Sequence, residues 1–374
     1  MEDITYFNRM RKAKEEMAKA GVDVFLVGPS SNLFYFTGYA AKGDERLFLL
    51  VVPLEGPPSN EGAPFILANL LYKEQVKSLP VKEFVYWKDG EDPFALLKAE
   101  IEKRNIPVKK AALEPSIPAL FSLPLSQAFP STQFVLGSPL TDALRQVKEP
   151  GELELIRQAS RESDRALAAV IGKGSCWVGK TEADFRDELF AELRRGGLDA
   201  SGAAVAVGAN AAVPHHGCGN TVIERGKCLL VDFWSSLDGY YTDCTRTFHF
   251  GKPDSEFEKI HAIVLEAHLA AEAAARPGNT LGDVDKAARS VIEKYGYGEY
   301  FTHRTGHGTG IDVHEGSPVN KGIQTPIEPG MVFSIEPGIY IPGRFGVRIE
   351  NLVITVEKAP EPLHAYPREL RIFD

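Results

Sequence analysis

Two apolar runs in this 374-residue chain each carry an acid where a covered strand should be hydrocarbon. Asp232 interrupts Leu229-Leu230-Val231-Asp232-Phe233, and Glu336 interrupts Val332-Phe333-Ser334-Ile335-Glu336-Pro337-Gly338. An ionised carboxylate withdrawn from water without a partner costs several kcal/mol, so such a group is normally paired, protonated or bound to metal. Any fold this chain adopts must therefore neutralise these two acids.

Local turn chemistry brings further acids beside them. Asp238-Gly239 is a strong two-residue hairpin signal between strand-like runs. Closing it there pairs Leu237 with Tyr240 and sets Asp232 opposite Thr245. Asp243 is two residues from Thr245 and shares its face, because side chains alternate with a period of two. A second turn centred on Gly343, in Pro342-Gly343-Arg344, sets Glu336 across from Glu350. Like charges brought together this way repel and raise each other's pKa. Two divalent cations would balance four carboxylates. His307, in Gly306-His307-Gly308-Thr309-Gly310, offers one nitrogen where glycines permit close backbone approach. Oxygen-rich coordination with one nitrogen suits Mn²⁺, Co²⁺, Fe²⁺ or Zn²⁺ better than Ca²⁺ or Mg²⁺. Asp238 and Asp312 read as ordinary surface acids.

The chain before this region alternates helical and strand patterns. Tyr6–Ala20 is amphipathic, and Val22–Val27, Arg46–Pro53 and Pro64–Leu67 read as strands, with Glu55–Ala63 as a loop. Phe94–Arg104 follows as a helix and Lys110–Glu114 as a strand. This alternation implies an α/β domain. A boundary near Arg145–Pro150 divides residues 1–148 from residues 149–374. Beyond it, helices are expected from Glu152 to Val170, after an N-cap at Thr181, from Glu256 to Ala275 and from Leu281 to Lys294. The formal charge of −9 argues against a nucleic-acid binder, and no apolar stretch reaches the roughly 18–20 residues of a membrane helix. The acidic Met1-Glu2-Asp3-Ile4-Thr5 lacks signal-peptide character, and four cysteines without CxxC spacing suit a reduced, cytoplasmic setting.

Several runs together resemble the pita-bread metallopeptidases, and among them the Xaa-Pro peptidases (Xaa-Pro dipeptidase, or prolidase, and aminopeptidase P). They are Val231-Asp232-Phe233, Thr242-Asp243-Cys244-Thr245-Arg246-Thr247, Thr305-Gly306-His307-Gly308-Thr309-Gly310, His314-Glu315, Ser334-Ile335-Glu336-Pro337-Gly338 and Val347-Arg348-Ile349-Glu350. Ser31-Asn32-Leu33-Phe34-Tyr35-Phe36-Thr37-Gly38 adds a weaker match in the first domain. The resemblance implies an α/β N-terminal domain followed by an α+β catalytic domain with a curved antiparallel sheet. It implies two divalent metal ions, Mn²⁺ or Co²⁺ first and Zn²⁺ or Fe²⁺ next. Asp232 would hold one ion, His307 and Glu336 the other, with Asp243 and Glu350 bridging. Water activated there would attack the carbonyl before proline, with Glu336 as general base. His215 and His314 match family histidines that contact substrate or stabilise the tetrahedral intermediate. Arg348 matches an arginine that holds the site or the substrate carboxylate. Short proline-containing peptides as substrates and a homodimer as the assembly are implied as well.

Two positions depart from the family pattern. Dipeptidases carry a carboxylate-gripping arginine shortly after the His-Glu pair, and here Pro318 stands in that place. Arg344, Arg348 or Lys321 are the candidates to replace it, and the change favours aminopeptidase P activity on longer peptides. Trp234 replaces the glycine after Asp-Phe and is placed to narrow the pocket. His216, beside His215, carries no assignment. The Cys218-Gly219 step lacks the surroundings of a thiol hydrolase. The competing readings are a metallo-lyase or amidinohydrolase on the same scaffold, and a catalytically silent interaction protein.

Overall fold

The structure, a computed structural model, describes residues 3–55 and 62–374 and forms two compact units, Met1–Leu144 and Arg145–Asp374. Most of the loop expected at Glu55–Ala63, and Met1 and Glu2 of the acidic start, lie outside the described residues.

The first unit is α/β. Its strands are β1 (Val24–Val27), β2 (Leu49–Pro53), β3 (Phe65–Asn69), β4 (Glu83–Trp87), β5 (Lys110–Leu113) and β6 (Gln133–Leu136). They form one sheet in the order β4-β3-β2-β1-β5-β6. β1 and β2 are apolar and buried at every position, as expected of strands covered on both faces. Helices α1 (Asp3–Ala20), α2 (Ser31–Thr37), α3 (Lys73–Val76), α4 (Pro93–Lys103), α5 (Ala119–Ala128) and α6 (Ser138–Gln146) alternate with them. α4 starts where Asp92 accepts from the Phe94 and Ala95 amides with Pro93 at the first position. The second strand begins later than Arg46, because the Leu47 carbonyl accepts from the Trp87 indole and Arg46 pairs with Asp89.

In the second unit, α7 (Pro150–Ile171) opens on Pro150 and a Glu149/Glu152 capping box. α8 (Glu182–Arg195) is capped by Thr181 through Asp184. Strands β7 (Asp199–Val207), β8 (Lys227–Leu237) and β9 (Tyr240–Phe250) follow. After α9 (Ser255–Ala274) and α10 (Leu281–Lys294) come β10 (Gly306–Gly308), β11 (Glu315–Val319), β12 (Val332–Ile335), β13 (Gly338–Ile341), β14 (Phe345–Arg348) and β15 (Asn351–Ile354). Two short strands, β16 (Glu361–Pro362) and β17 (Ile372–Phe373), end the unit. One sheet runs β17-β9-β8-β7 and another β11-β10-β12-β15-β16, with β13-β14 as a separate ribbon. All of these pairings are antiparallel except β17 with β9.

Alternation along β8 explains where the first acid points. Leu229, Val231 and Phe233 pack into the core formed with α7 and α8. Cys228 and Leu230 face the other core, formed with α9 and α10. Asp232 is the next residue on that second face. The Asp238-Gly239 hairpin has the expected register, with Leu237 opposite Tyr240, Asp232 opposite Thr245 and Trp234 opposite Asp243. Asp238 sits exposed in the turn at φ 48°, a conformation aspartate tolerates better than most residues.

The second hairpin keeps its register but interrupts its ladder. Gly338 pairs with Arg348 on one side of the gap and Ile335 with Asn351 on the other. Glu336 and Glu350 occupy the gap. Pro337 has no amide hydrogen to donate, and the Glu336 amide donates to the Thr305 carbonyl at 2.8 Å. The Glu350 amide donates to the Thr245 carbonyl at 3.1 Å, which bridges the two larger sheets.

Candidate metal centre

The interruption gathers side chains from both sheets around one cavity of about 740 Å³. Asp232, Asp243, His307, Glu336 and Glu350 all line it. Donor atoms of Asp243, His307 and Glu350 lie within 4.8 Å of one another. His307 Nε2 stands 3.3 Å from Glu336 Oε1 and 3.9 Å from Asp243 Oδ2. Its Nδ1 is 3.2 Å from the Gly308 carbonyl, which takes the ring proton and leaves the lone pair on Nε2. An imidazole lone pair facing a carboxylate oxygen at that distance calls for a proton or cation between them.

Neighbouring hydroxyls hold the carboxylates in place. Ser334 donates to Glu336 Oε1 at 3.1 Å, and Thr245 donates to Glu350 Oε2 at 2.6 Å. Asp232 Oδ2 accepts from Arg348 at 2.6 Å. Asp243 differs: its Oδ1 is buried and has no hydrogen-bond partner among the described residues. Burial, then the charges of Glu350, Asp232 and Glu336, pushes the Asp243 pKa well above the usual carboxylate range. Burial and the charges of Glu336 and Asp232 do the same to Glu350. Glu336 is pushed up to about 7, mainly by burial and further by Asp232. Burial, with help from His314, holds His307 down to about 3. Without metal, Asp243 and Glu350 thus favour the protonated form and His307 the neutral one. An orphaned carboxylate oxygen beside a neutral nitrogen and two more acids fits divalent cations held by oxygen and one nitrogen.

His215 and His314 both line the cavity, with the His314 ring 3.9 Å from that of His307 between centroids. Burial, then the Arg304 charge, lowers the His314 pKa. His216 does not line the cavity; its Nε2 lies 3.1 Å from Glu182, which also accepts from the Val207 and Gly219 amides. Trp234 lines the cavity with its indole laid over Gly202, where even a methyl group would clash. Cys218 is a partly buried thiol donating to the Ala203 carbonyl, with its pKa raised by burial.

Arg348 is buried, and all three guanidinium nitrogens are engaged. They donate to Asp232, to the Tyr340 hydroxyl at 2.9 Å and to the Thr245 hydroxyl at 3.2 Å. Arg344 points away from the centre to Glu256 and Asp254, because the Gly343 turn is exposed. Neither Arg344 nor Lys321 lines the cavity. Asp312 is a surface acid, as expected, and does not line the cavity. It is half-exposed and pairs with Arg145 at 2.6 Å.

The sequence reading missed His303, Arg304 and Tyr340. The Tyr340 hydroxyl accepts from Arg348 and donates to His303 Nε2 at 2.7 Å. His303 Nδ1 then donates to the Arg304 carbonyl at 2.6 Å. The signal was a His-Arg pair directly before Thr305-Gly306-His307.

Comparison with known proteins matches residues 154–357 to the model of "Metallopeptidase family M24". The chain belongs to this family. Residues 9–147 match the "Creatinase/Prolidase N-terminal domain". The chain is 37% identical over 367 residues to "Probable dipeptidase PepE" of Mycobacterium tuberculosis, covering 98% of this chain and 96% of that protein. It is 32% identical to the Xaa-Pro dipeptidase of Lactobacillus delbrueckii subsp. lactis, covering 96% of this chain and 98% of that protein. A crystal structure of prolidase from Thermococcus sibiricus superposes with a TM-score of 0.92 at 34% identity and covers 100% of both chains. This M24 chain therefore has the expected architecture, an α/β N-terminal unit and a pita-bread catalytic unit. Among its described residues, no helix is long and apolar enough to cross a membrane.

Proposed function

We propose that this chain is a dinuclear-metal hydrolase cleaving the peptide bond before proline, in Xaa-Pro dipeptides or at the N-terminal Xaa-Pro of short peptides. The observation that carries the reading is the buried, partnerless Asp243 Oδ1 beside His307 and Glu350. The kinship to an Xaa-Pro dipeptidase and a prolidase supplies the substrate class. Residues 1–148 are the auxiliary domain and 149–374 the catalytic one.

Asp232 would hold one cation and His307 and Glu336 the other, with Asp243 and Glu350 as ligands that both could share. Mn²⁺ or Co²⁺ suits this donor set first, Zn²⁺ or Fe²⁺ next. Bound cations would lower the pKa of a water towards neutrality and polarise the scissile carbonyl. Glu336 takes the proton of the attacking water and returns it to the proline nitrogen. That nitrogen belongs to a tertiary amide and must be protonated to leave. His215 and His314 face the substrate and donate to its carbonyl oxygen as charge develops. Arg348 fixes Asp232 and braces the wall through Tyr340. The enzyme works in the cytoplasm as a homodimer and takes neither nucleic acid nor membrane as a partner.

The test is hydrolysis of Xaa-Pro and Xaa-Pro-Yaa substrates by chelator-treated protein, with and without added Mn²⁺ or Co²⁺. Metal-dependent release of the N-terminal residue is expected. Metal binding without turnover of any Xaa-Pro substrate would favour a lyase or a binding protein.

A further inference from the structure

The cavity contains two arginines, and only one of them is used. Arg348 spends its guanidinium on Asp232, Tyr340 and Thr245. Arg304 lines the same cavity and is partly buried. Among the described residues its guanidinium has neither a hydrogen-bond acceptor nor a carboxylate within 4.0 Å, whereas acids that face other arginines in this unit are paired with them. Its backbone is held in place, since the Arg304 carbonyl accepts from His303, which is itself fixed by Tyr340. The Arg304 amide belongs to the short segment leading into Thr305, whose hydroxyl donates to Asp285 at 2.8 Å.

A guanidinium kept in a cavity without a partner, on a braced backbone, is arranged to meet an anion from outside. The substrate supplies one. In a dipeptide ending in proline, the free carboxylate sits one residue beyond the scissile carbonyl. Resting on the peptidase reading above, we propose that Arg304 binds the C-terminal carboxylate of an Xaa-Pro dipeptide and so makes the enzyme prefer dipeptides. Pro318 cannot donate a side-chain hydrogen bond, and Arg344 and Arg348 are already engaged. Arg304 is the cation the cavity has left.

The experiment compares Ala-Pro with Ala-Pro amide, which keeps the scissile bond and loses the negative charge, using the Mn²⁺-loaded full chain. In the wild type, amidation should raise KM roughly 10- to 100-fold, the worth of a charge-assisted hydrogen-bond pair. Arg304→Met should raise KM for Ala-Pro by a similar factor with kcat little changed, and should leave KM for the amide unaltered. Arg304→Lys should recover part of the loss. Melting temperature and bound Mn²⁺ of each variant report whether the fold and centre survive. Equal KM changes on both substrates, or no effect of amidation in the wild type, would overturn the role of Arg304 and leave the peptidase reading standing. A wild type that turns over neither substrate would overturn the peptidase reading itself, and this role with it.

Discussion

Glu315 and Glu350 are carboxylates buried in the same unit, and the fold neutralises them by opposite means. The Glu315 side chain is 5% exposed and meets Arg145 at 2.5 Å and Lys148 at 2.8 Å. Burial alone would raise its pKa, but those two cations hold it down to about 2. Glu350 is 2% exposed and lies among Glu336, Asp232 and Asp243, and its pKa rises well above the ordinary range. One acid is finished by the protein's own cations. The other group is left electrostatically incomplete: among the described residues Arg348 pairs with Asp232 and leaves Asp243 Oδ1 without a partner. A chain able to supply Arg and Lys to a buried acid, and withholding them here, has built a site for charge from outside.

The comparison breaks most visibly in activity. Asp243→Asn or Glu336→Gln should lower kcat/KM on Xaa-Pro substrates by on the order of 10³-fold or more, with the circular-dichroism spectrum unchanged. Glu315→Gln should instead cost about 3 kcal/mol of stability in urea denaturation, since it takes the carboxylate from buried Lys148 and leaves Arg145 with only the half-exposed Asp312. In metal-free protein, Asp243→Asn should have the reverse sign and stabilise the fold by about 1 kcal/mol, because it removes a buried acid that folding must hold protonated against its ordinary pKa. A metal-free Asp243→Asn protein as unstable as Glu315→Gln would erase the distinction between the two clusters.

Proton linkage sharpens it further. The folded pKa of Glu336, about 7 without metal, lies above its ordinary 4.5. Its contribution to metal-free stability is therefore complete below 4.5 and disappears as pH rises through 7. Glu315, at about 2, lies below its ordinary 4.5, so its contribution is complete above 4.5 and is lost as pH falls towards 2. Wild-type metal-free protein should lose stability relative to Glu336→Gln between about pH 5 and about pH 8. Glu315→Gln should approach wild type only in strong acid. Parallel urea titrations across pH read both slopes.

Smaller effects belong to the supporting residues. Arg348→Lys keeps the charge but gives up the forked contact to Asp232, Tyr340 and Thr245, and should lower kcat/KM by roughly 10- to 100-fold. Asp312→Asn should change stability by less than about 1 kcal/mol, since that acid is half-exposed and Arg145 keeps Glu315.

Much of the centre was legible because its geometry is local. Asp238-Gly239 sets the register that aligns Asp232 with Thr245, and period-two alternation brings Asp243 to the same face. The Gly343 turn likewise aligns Glu336 with Glu350, although the break in the ladder depends on Thr245 and Thr305, which arrive from elsewhere. What stayed hidden is non-local. His314 and Glu315 are neighbours in sequence, yet one faces the cavity and the other meets Arg145 and Lys148, far back in the chain. No local pattern announces such an ion pair. Arg304 escaped for a similar reason, since what sets it apart is that its guanidinium has no partner among the described residues.

The central claim is that the acids around Asp243 hold paired cations. Anomalous diffraction from crystals grown with Mn²⁺ tests it most directly. The account predicts two peaks in the cavity, one bonded to His307 and Glu336 and the other to Asp232, with Asp243 and Glu350 between them. An empty cavity at saturating Mn²⁺, or a peak only at another place in the molecule, would contradict it.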